Sequence, residues 1–247
     1  MSKILTLTLL LSSLSCSLYS ANVIINKTSN NTTIQDNSSS INTGINLGAS
    51  NSKSLLGDNK LTTITRTLSD FNSVIVNIPF TVNITCNGNH SVEISADTNI
   101  TPLISTEIKN STLVISTTKS FNTKSKITIS VNAPQLNSIQ CSGAGNLTVI
   151  EINTDKLNVT ANGAAEISLT GKVQNFQLNS AGSSTINAKN LISKDTKLQM
   201  TGAGEAQIFA SNNLNAHITG AADVTYYGNP KHISKNDIIA GSLEPGN

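Results

Sequence analysis

The 247-residue sequence has no tryptophan, 3% aromatic residues, 12% charged residues and a single arginine, Arg66. So few aromatics leave little with which to stack nucleic-acid bases or sugar rings. The formal net charge of +2 comes from dispersed lysines. Lys119, Lys124 and Lys126 form the one notable cluster, which reads as a solvated loop, so nucleic acid is not an expected partner. No Gly-x-Ser-x-Gly elbow is present to carry a serine nucleophile. His90, His217 and His232 are scattered without metal-ligand spacing and read as surface residues. Long apolar runs are also missing. Ile4 to Leu14 is too short to span a bilayer, and nothing later in the chain could do so.

What is present is a repeat. Ser142-Gly143-Ala144-Gly145-Asn146-Leu147 is followed by Asn162-Gly163-Ala164-Ala165-Glu166-Ile167 and Ala181-Gly182-Ser183-Ser184-Thr185-Ile186. Thr201-Gly202-Ala203-Gly204-Glu205-Ala206 and Thr219-Gly220-Ala221-Ala222-Asp223-Val224 complete the series. The glycines at 143, 163, 182, 202 and 220 are separated by 20, 19, 20 and 18 residues. A period of that length marks a stacked-repeat architecture. Apolar residues lie four and two positions before most of these glycines, and four and six positions after them. The third coil is more polar, with Ser180 two before Gly182. Each repeat therefore holds two short period-2 strands around a small-residue corner, and Ile152, Val173 and Leu191 allow a third. Glycine suits a corner that needs positive φ and close stacking. About twenty residues cannot hold a strand–helix–strand crossover, whose connection alone takes a dozen. They do fit one coil of an all-β, single-stranded β-helix or solenoid, whose five coils would stack to about 25 Å. The Gly-Ala-Gly-type corners of Gly143 and Gly202 resemble a dinucleotide loop only superficially, since a third glycine and a following helix are lacking.

Around this core the chain divides into five stretches. Residues 1–21 read as a secretory signal peptide, with charged Lys3 before the short apolar run. Cys16 raises lipid attachment as an alternative, which the lipobox pattern disfavours because Ser13 stands where leucine is required. Residues 22–60 are rich in Asn, Ser and Thr and read as a flexible or loosely paired leader. Residues 61–135 read as a strand-rich region containing a hairpin with its tip at Lys109 to Ser111. Residues 136–230 hold the solenoid repeats, and residues 231–247 a C-terminal cap or tail. Ile84-Thr85-Cys86-Asn87-Gly88 matches Ile139-Gln140-Cys141-Ser142-Gly143 in pattern, which suggests an earlier coil stacked on the first. In that arrangement Cys86 and Cys141 would share an inward column within disulfide reach, the alternative being two buried thiols.

Gly143-Ala144-Gly145-Asn146-Leu147 and its copies, closed by Tyr226-Tyr227-Gly228-Asn229-Pro230-Lys231, resemble the head GIN domain family of putative auto-transporter adhesins. Leu68-Ser69-Asp70-Phe71, Asn110-Ser111-Thr112-Leu113 and Ala133-Pro134-Gln135-Leu136 add to the likeness, which runs from Thr65 to Ser242. The resemblance implies a bacterial, exported β-helical domain assigned to adhesion by family naming, without a defined catalytic site; no cofactor is expected. Family members often carry Asp where this chain has Asn146, Glu166, Thr185, Glu205 and Asp223, so a uniform acidic ladder is not implied here.

Glu166, Glu205 and Asp223 nonetheless form the sharpest local candidate. Glu205 and Asp223 should be neighbours on the outer face of consecutive coils. Two carboxylates about 5 Å apart can bind a cation or serve retaining glycoside hydrolysis. Basic partners for such chemistry are scarce, and a solvated acidic edge is the plainer account. The sequence thus points to a non-catalytic, surface-exposed or secreted adhesin-like protein that binds a protein, glycan or envelope component. The rivals are an envelope protein that self-assembles into homo-oligomers through its coil ends, and a polysaccharide-acting enzyme on the same scaffold.

Overall fold

The computed structural model describes residues 23–28, 31–36 and 54–247, with the side chains of 23–28, 31–36 and 237–239 outside that description. The expected signal peptide and Cys16 lie outside the described residues. The chain divides into two units, residues 1–53 and 54–247. In the first, β1 (Val23–Thr28) and β2 (Asn31–Asp36) pair antiparallel from Val23↔Asp36 to Thr28↔Asn31.

The second unit is all-β apart from one 3-10 turn at Thr101–Leu103. It opens with β3 (Leu55–Leu56), β4 (Leu61–Thr67), β5 (Ser73–Val76), β6 (Thr81–Thr85) and β7 (Ser91–Asp97). Next come β8 (Ile104–Lys109), β9 (Thr112–Thr117), β10 (Phe121–Asn122), β11 (Thr128–Asn132) and β12 (Ser138–Gly143). The long strands β13 (Asn146–Gly163), β14 (Glu166–Gly182) and β15 (Thr185–Gly202) each run through most of a coil. They are followed by β16 (Glu205–Phe209), β17 (Asn213–Thr219), β18 (Asp223–Tyr227), β19 (His232–Ile239) and β20 (Ser242–Pro245).

Successive coils pair in parallel and in register. Before the corner, Ile139↔Val159↔Leu178↔Leu198↔Ala216 forms one inward column. After it, Val82↔Leu147↔Ile167↔Ile186↔Ala206↔Val224↔Leu243 forms another. All of these side chains are buried, each large aliphatic one contributing about 1.5–3 kcal/mol. Ile152, Val173 and Leu191 are also buried and line the third edge of the core, as the sequence pattern suggests. Ser180 interrupts the second pre-corner column between Ala161 and Met200, and its Oγ is buried without a partner.

The corners show why glycine recurs. Gly182 has φ +114°, and a Cβ there would stand 2.4 Å from the carbonyl oxygen of Gly163. Equivalent atoms on Gly163, Gly202 and Gly220 would likewise meet the preceding glycine carbonyl, at 2.3–2.5 Å. That carbonyl is already engaged: Ser183 N–H donates to Gly163 O at 2.8 Å and Ala203 N–H to Gly182 O at 3.0 Å. Gly143 differs, because a Cβ there would come no closer than 3.9 Å to Ile78 O. The column continues past the five repeats. Ser242 N–H donates to Ala222 O, and β19 and β20 flank Ala240-Gly241 as a further coil.

Two expectations need correction. The coil beneath Gly143 is not built on Gly88. It consists of β5, a corner at Asn77-Ile78-Pro79-Phe80, and β6, whose Val82 and Ile84 pair with Leu147 and Val149. Ile84 and Cys86 therefore follow a corner rather than precede one, while Gly88 (φ +65°) sits in an open turn before β7. The Cys86–Cys141 disulfide falls with it. Cys141 lies between Val76 and Ala161, Cys86 N–H donates to Ile150 O, and both thiols are free. The hairpin is where the sequence suggests: β8 pairs with β9 up to Lys109↔Thr112, and Asn110 and Ser111 have φ of 50° and 57°. Positive φ at both central residues defines a type I′ turn. At the start of the unit, β3 pairs with β10, so the folded region takes in Leu55 and Leu56 from the stretch read as leader.

Antiparallel strands β4 and β7 close the N-terminal end together with β11. Asp97, at the end of β7, is covered by its immediate neighbours although it lies near the molecule's edge. Ser125 and Thr123 donate hydroxyl hydrogen bonds to its two carboxylate oxygens, each at 2.5 Å. These donors hold its carboxyl below the usual value, partly offset by burial.

Gly143→Ala should lower stability by about 1–3 kcal/mol, the cost of forcing positive φ on alanine. Gly182→Ala should cost more, because backbone must also move. Urea denaturation of both variants tests this, and equal losses would refute the stacking argument. Asp97 has a lower pKa folded than unfolded, so its contribution is present above 3.8 and lost as pH falls through the folded value. The urea midpoints of wild type and Asp97→Asn should differ at neutral pH and converge in acid.

Candidate functional site

The acidic candidates lie in one outward column, Thr81↔Asn146↔Glu166↔Thr185↔Glu205↔Asp223↔Ser242. Glu205 and Asp223 are direct lateral neighbours, about 4.8 Å apart along the ladder. Glu166 is separated from Glu205 by Thr185. All three are exposed on a flat strand face, and Ser242 Oγ donates to Asp223 Oδ1 at 2.8 Å. Among the described residues, no group of three or more His, Cys, Asp or Glu side chains could hold a metal ion.

A concavity lies elsewhere. A groove of about 950 Å³ runs along the third edge of the solenoid, between that edge and the pre-corner face. Its wall contains Asn153↔Lys172↔Ile192 and Thr154↔Val173↔Ser193 from three consecutive coils. Register shifts at Val149/Ile152 and Ser168/Thr170 turn the chain here. Glu151 takes φ 62°, and Gly171 (φ +144°) approaches so closely that a Cβ would lie 2.2 Å from Ile152 O. At one end Thr154 Oγ1 donates to Asn137 Oδ1 at 2.9 Å, and at the other Ser211 Oγ donates to Ser193 O at 3.2 Å. Lys156, Lys172 and Lys194 stand around the groove, with Asp155 the one carboxylate in its lining. Asn158 also lines it, and its Oδ1 is buried with no hydrogen-bond partner among the described residues. Past Lys156 the groove meets a second recess lined by Asn175, Gln177, Lys197 and Asn213. Behind this wall Thr196 donates to Phe209 O at 2.8 Å, and Ser193 donates to the same carbonyl.

The model of one family, the putative auto-transporter adhesin, head GIN domain, matches residues 70–230, well over half of the chain. The chain belongs to this family. A putative adhesin from Bacteroides fragilis superposes with a TM-score of 0.64 at 22% identity, over 78% of this chain and 100% of that one. A putative lipid binding protein from Parabacteroides distasonis gives 0.54 at 20% identity, over 78% and 99% respectively. At these identities the likeness establishes a shared fold. No match is found among curated proteins.

The head GIN match begins at Asp70, and the structure gives that residue a role the sequence did not suggest. Asp70 Oδ1 lies 3.0 Å from Nδ1 of His90, whose Nε2 is 2.8 Å from Phe71 O. The rings of Phe71 and His90 are 4.6 Å apart. With its side chain only 13% exposed, His90 is a structural clamp on the Asp70–Phe71 turn rather than a surface residue. His232 is exposed, and His217 stands in an outward column between Gln199 and Asn236. The groove itself gave no sequence signal, because its lining comes from different offsets within each coil. The residues that could have pointed to it are the lysines and amides of the third edge, outside the glycine phrase.

Burial, with a smaller contribution from nearby Glu151, pushes the Cys86 thiol up to about 11. Burial also raises that of Cys141. Both should resist alkylation near neutral pH and react fully in urea. Because Cys86 has a higher pKa folded than unfolded, its contribution is complete below 9.0 and lost as pH rises through about 11. The stability difference between wild type and Cys86→Ala should therefore change only in that alkaline window.

Proposed function

We propose that the chain is an exported, non-catalytic, adhesin-like module that captures an extended glycan or envelope component along its lateral surface. The observation that carries this reading is the groove, an open, amide- and lysine-lined trough held by three hydrogen-bonded coils. Rigid strands preorganise such a surface, so little ordering cost opposes binding. Family membership points the same way at the level of the family's name. The neighbouring carboxylates that a retaining hydrolase would need, Glu205 and Asp223, lie on a flat exposed face and outside the groove lining. A hydrolase needs its pair to enclose a sugar between acid and nucleophile.

The self-assembly alternative is disfavoured by the edges. Arg66 occupies an inward position on β4, paired with Val92, and donates to Ile104 O at 3.1 Å and Thr106 Oγ1 at 2.7 Å. At the other end Lys235 pairs with Ala216 in an inward column and donates to Leu243 O at 3.4 Å. Inward-pointing cations on edge strands hinder edge-to-edge pairing.

The test is an array of glycans and envelope components probed with the exported chain and with Glu205→Ala/Asp223→Ala. Saturable capture without release of sugar fragments is expected, and the double variant should bind within about twofold of wild type, as for a rim far from the contact. Fragment release would overturn the reading in favour of an enzyme. No capture, accompanied by concentration-dependent oligomers, would favour assembly.

A further inference from the structure

We infer that the third-edge groove recognises an anionic sugar polymer, whose acidic groups sit over Lys156, Lys172 and Lys194. This rests on the adhesion reading and adds the chemical class of the ligand. The first support is the state of the lysines. The ion pairs among the described residues are His90–Asp70 and Lys109–Glu107, so the three groove lysines have no carboxylate partner among the described residues. All three are exposed at a concave surface, where their charge remains available to an incoming anion. Asp195, which lines the adjoining recess, already accepts from Asn212 Nδ2 at 3.0 Å and from Asn213 Nδ2 at 2.5 Å.

The second support is segregation of charge. The two outward columns just after the corner hold Glu93, Glu166, Glu205, Asp223 and Glu244 and no basic residue. An anionic chain would be repelled there and drawn to the groove. The third is the lining. No aromatic side chain lines the groove, and Phe176 at the adjoining recess is buried, so ring stacking cannot supply the binding energy. Amides can bond hydroxyls, and the unpartnered, buried Oδ1 of Asn158 is an acceptor at the groove wall. The fourth is length. Asn153, Lys172 and Ile192 cross three coils, about 10 Å from first to third, and the trough continues past Lys156 into the next recess. An extended polymer suits this better than a compact solute. Lysine ammonium groups act as point charges, so carboxylate- and phosphate-bearing sugars share the required chemistry.

The exported chain should be titrated with polygalacturonate, with its fully methyl-esterified form, and with a phosphate-bearing teichoic acid. Lys156→Gln/Lys172→Gln/Lys194→Gln is compared with Lys119→Gln/Lys124→Gln/Lys126→Gln, which makes the same change in net charge outside the groove lining. Thermal melts verify that both remain folded. Binding to one or both acidic polymers should weaken as salt rises. It should fall about tenfold in the groove variant, as expected of three screened contacts, and less than about twofold in the loop variant. The acidic polymer that binds identifies the acid. Equal losses in the two variants would reduce the effect to net charge and overturn the inference. Equal binding of the methyl-esterified polymer would overturn it too, while leaving the adhesion reading standing. That broader reading fails separately, if neither these polymers nor the array are captured.

Discussion

Everything in this fold depends on how closely one corner sits on the next. A coil can follow its neighbour at strand spacing only if the turn between its two sheets has no side chain pointing at the backbone below. Gly163, Gly182, Gly202 and Gly220 meet that condition, each placing its Cα where a Cβ would strike the preceding glycine's carbonyl oxygen. Once the corners stack, the alternation of inward and outward residues is locked on both sides of them. The apolar columns of the core and the polar ladders outside are two consequences of one backbone contact. Ser180 shows the tolerance of the arrangement, since a buried hydroxyl is accommodated where the columns above and below remain apolar.

A stack with such regular columns is exposed at its two ends, and the chain treats them differently from its middle. At the N-terminal end the parallel pattern gives way to antiparallel β4, β7 and β11, and to the β8–β9 hairpin. The Asp97 hydroxyl network ties β7 to the segment before β11. At the C-terminal end the parallel ladder runs out through β19 and β20. In each case a cation, Arg66 or Lys235, occupies a position that an apolar residue holds in the interior. The sole arginine of the chain is thus accounted for by an edge and not by a ligand.

How much of this could be read from the sequence follows from the same physics. Where glycine is sterically required, its spacing is visible, so the five coils and their strand pattern are legible from residue 136 onward. Where the corner can be built otherwise, the signal vanishes. Asn77-Ile78-Pro79-Phe80 makes a corner without glycine, and the Cys86-Asn87-Gly88 phrase, which copies the pattern, is an open turn after β6. The error over the cysteines came directly from that shift, since moving β6 across the corner places Cys86 after the corner while Cys141 lies before one. His90 was illegible for a different reason, its partners Asp70 and Phe71 lying about twenty residues upstream in a turn with no recurring phrase.

The acidic ladder and the groove separate what the sequence can and cannot place. Glu205 and Asp223 share an offset from their glycines, so their adjacency could be predicted, and the structure has them in register. A shared offset, however, produces a flat column, because equivalent residues of stacked coils project in parallel. Concavity needs the opposite: coils that depart from exact equivalence. The third edge departs, with its register shifts, the left-handed Glu151 and the close approach of Gly171 to Ile152. In a solenoid the residues easiest to align are therefore those least able to enclose a ligand. The binding surface is to be sought where the repeat is least regular, and in this chain three exposed lysines, Lys156, Lys172 and Lys194, stand there.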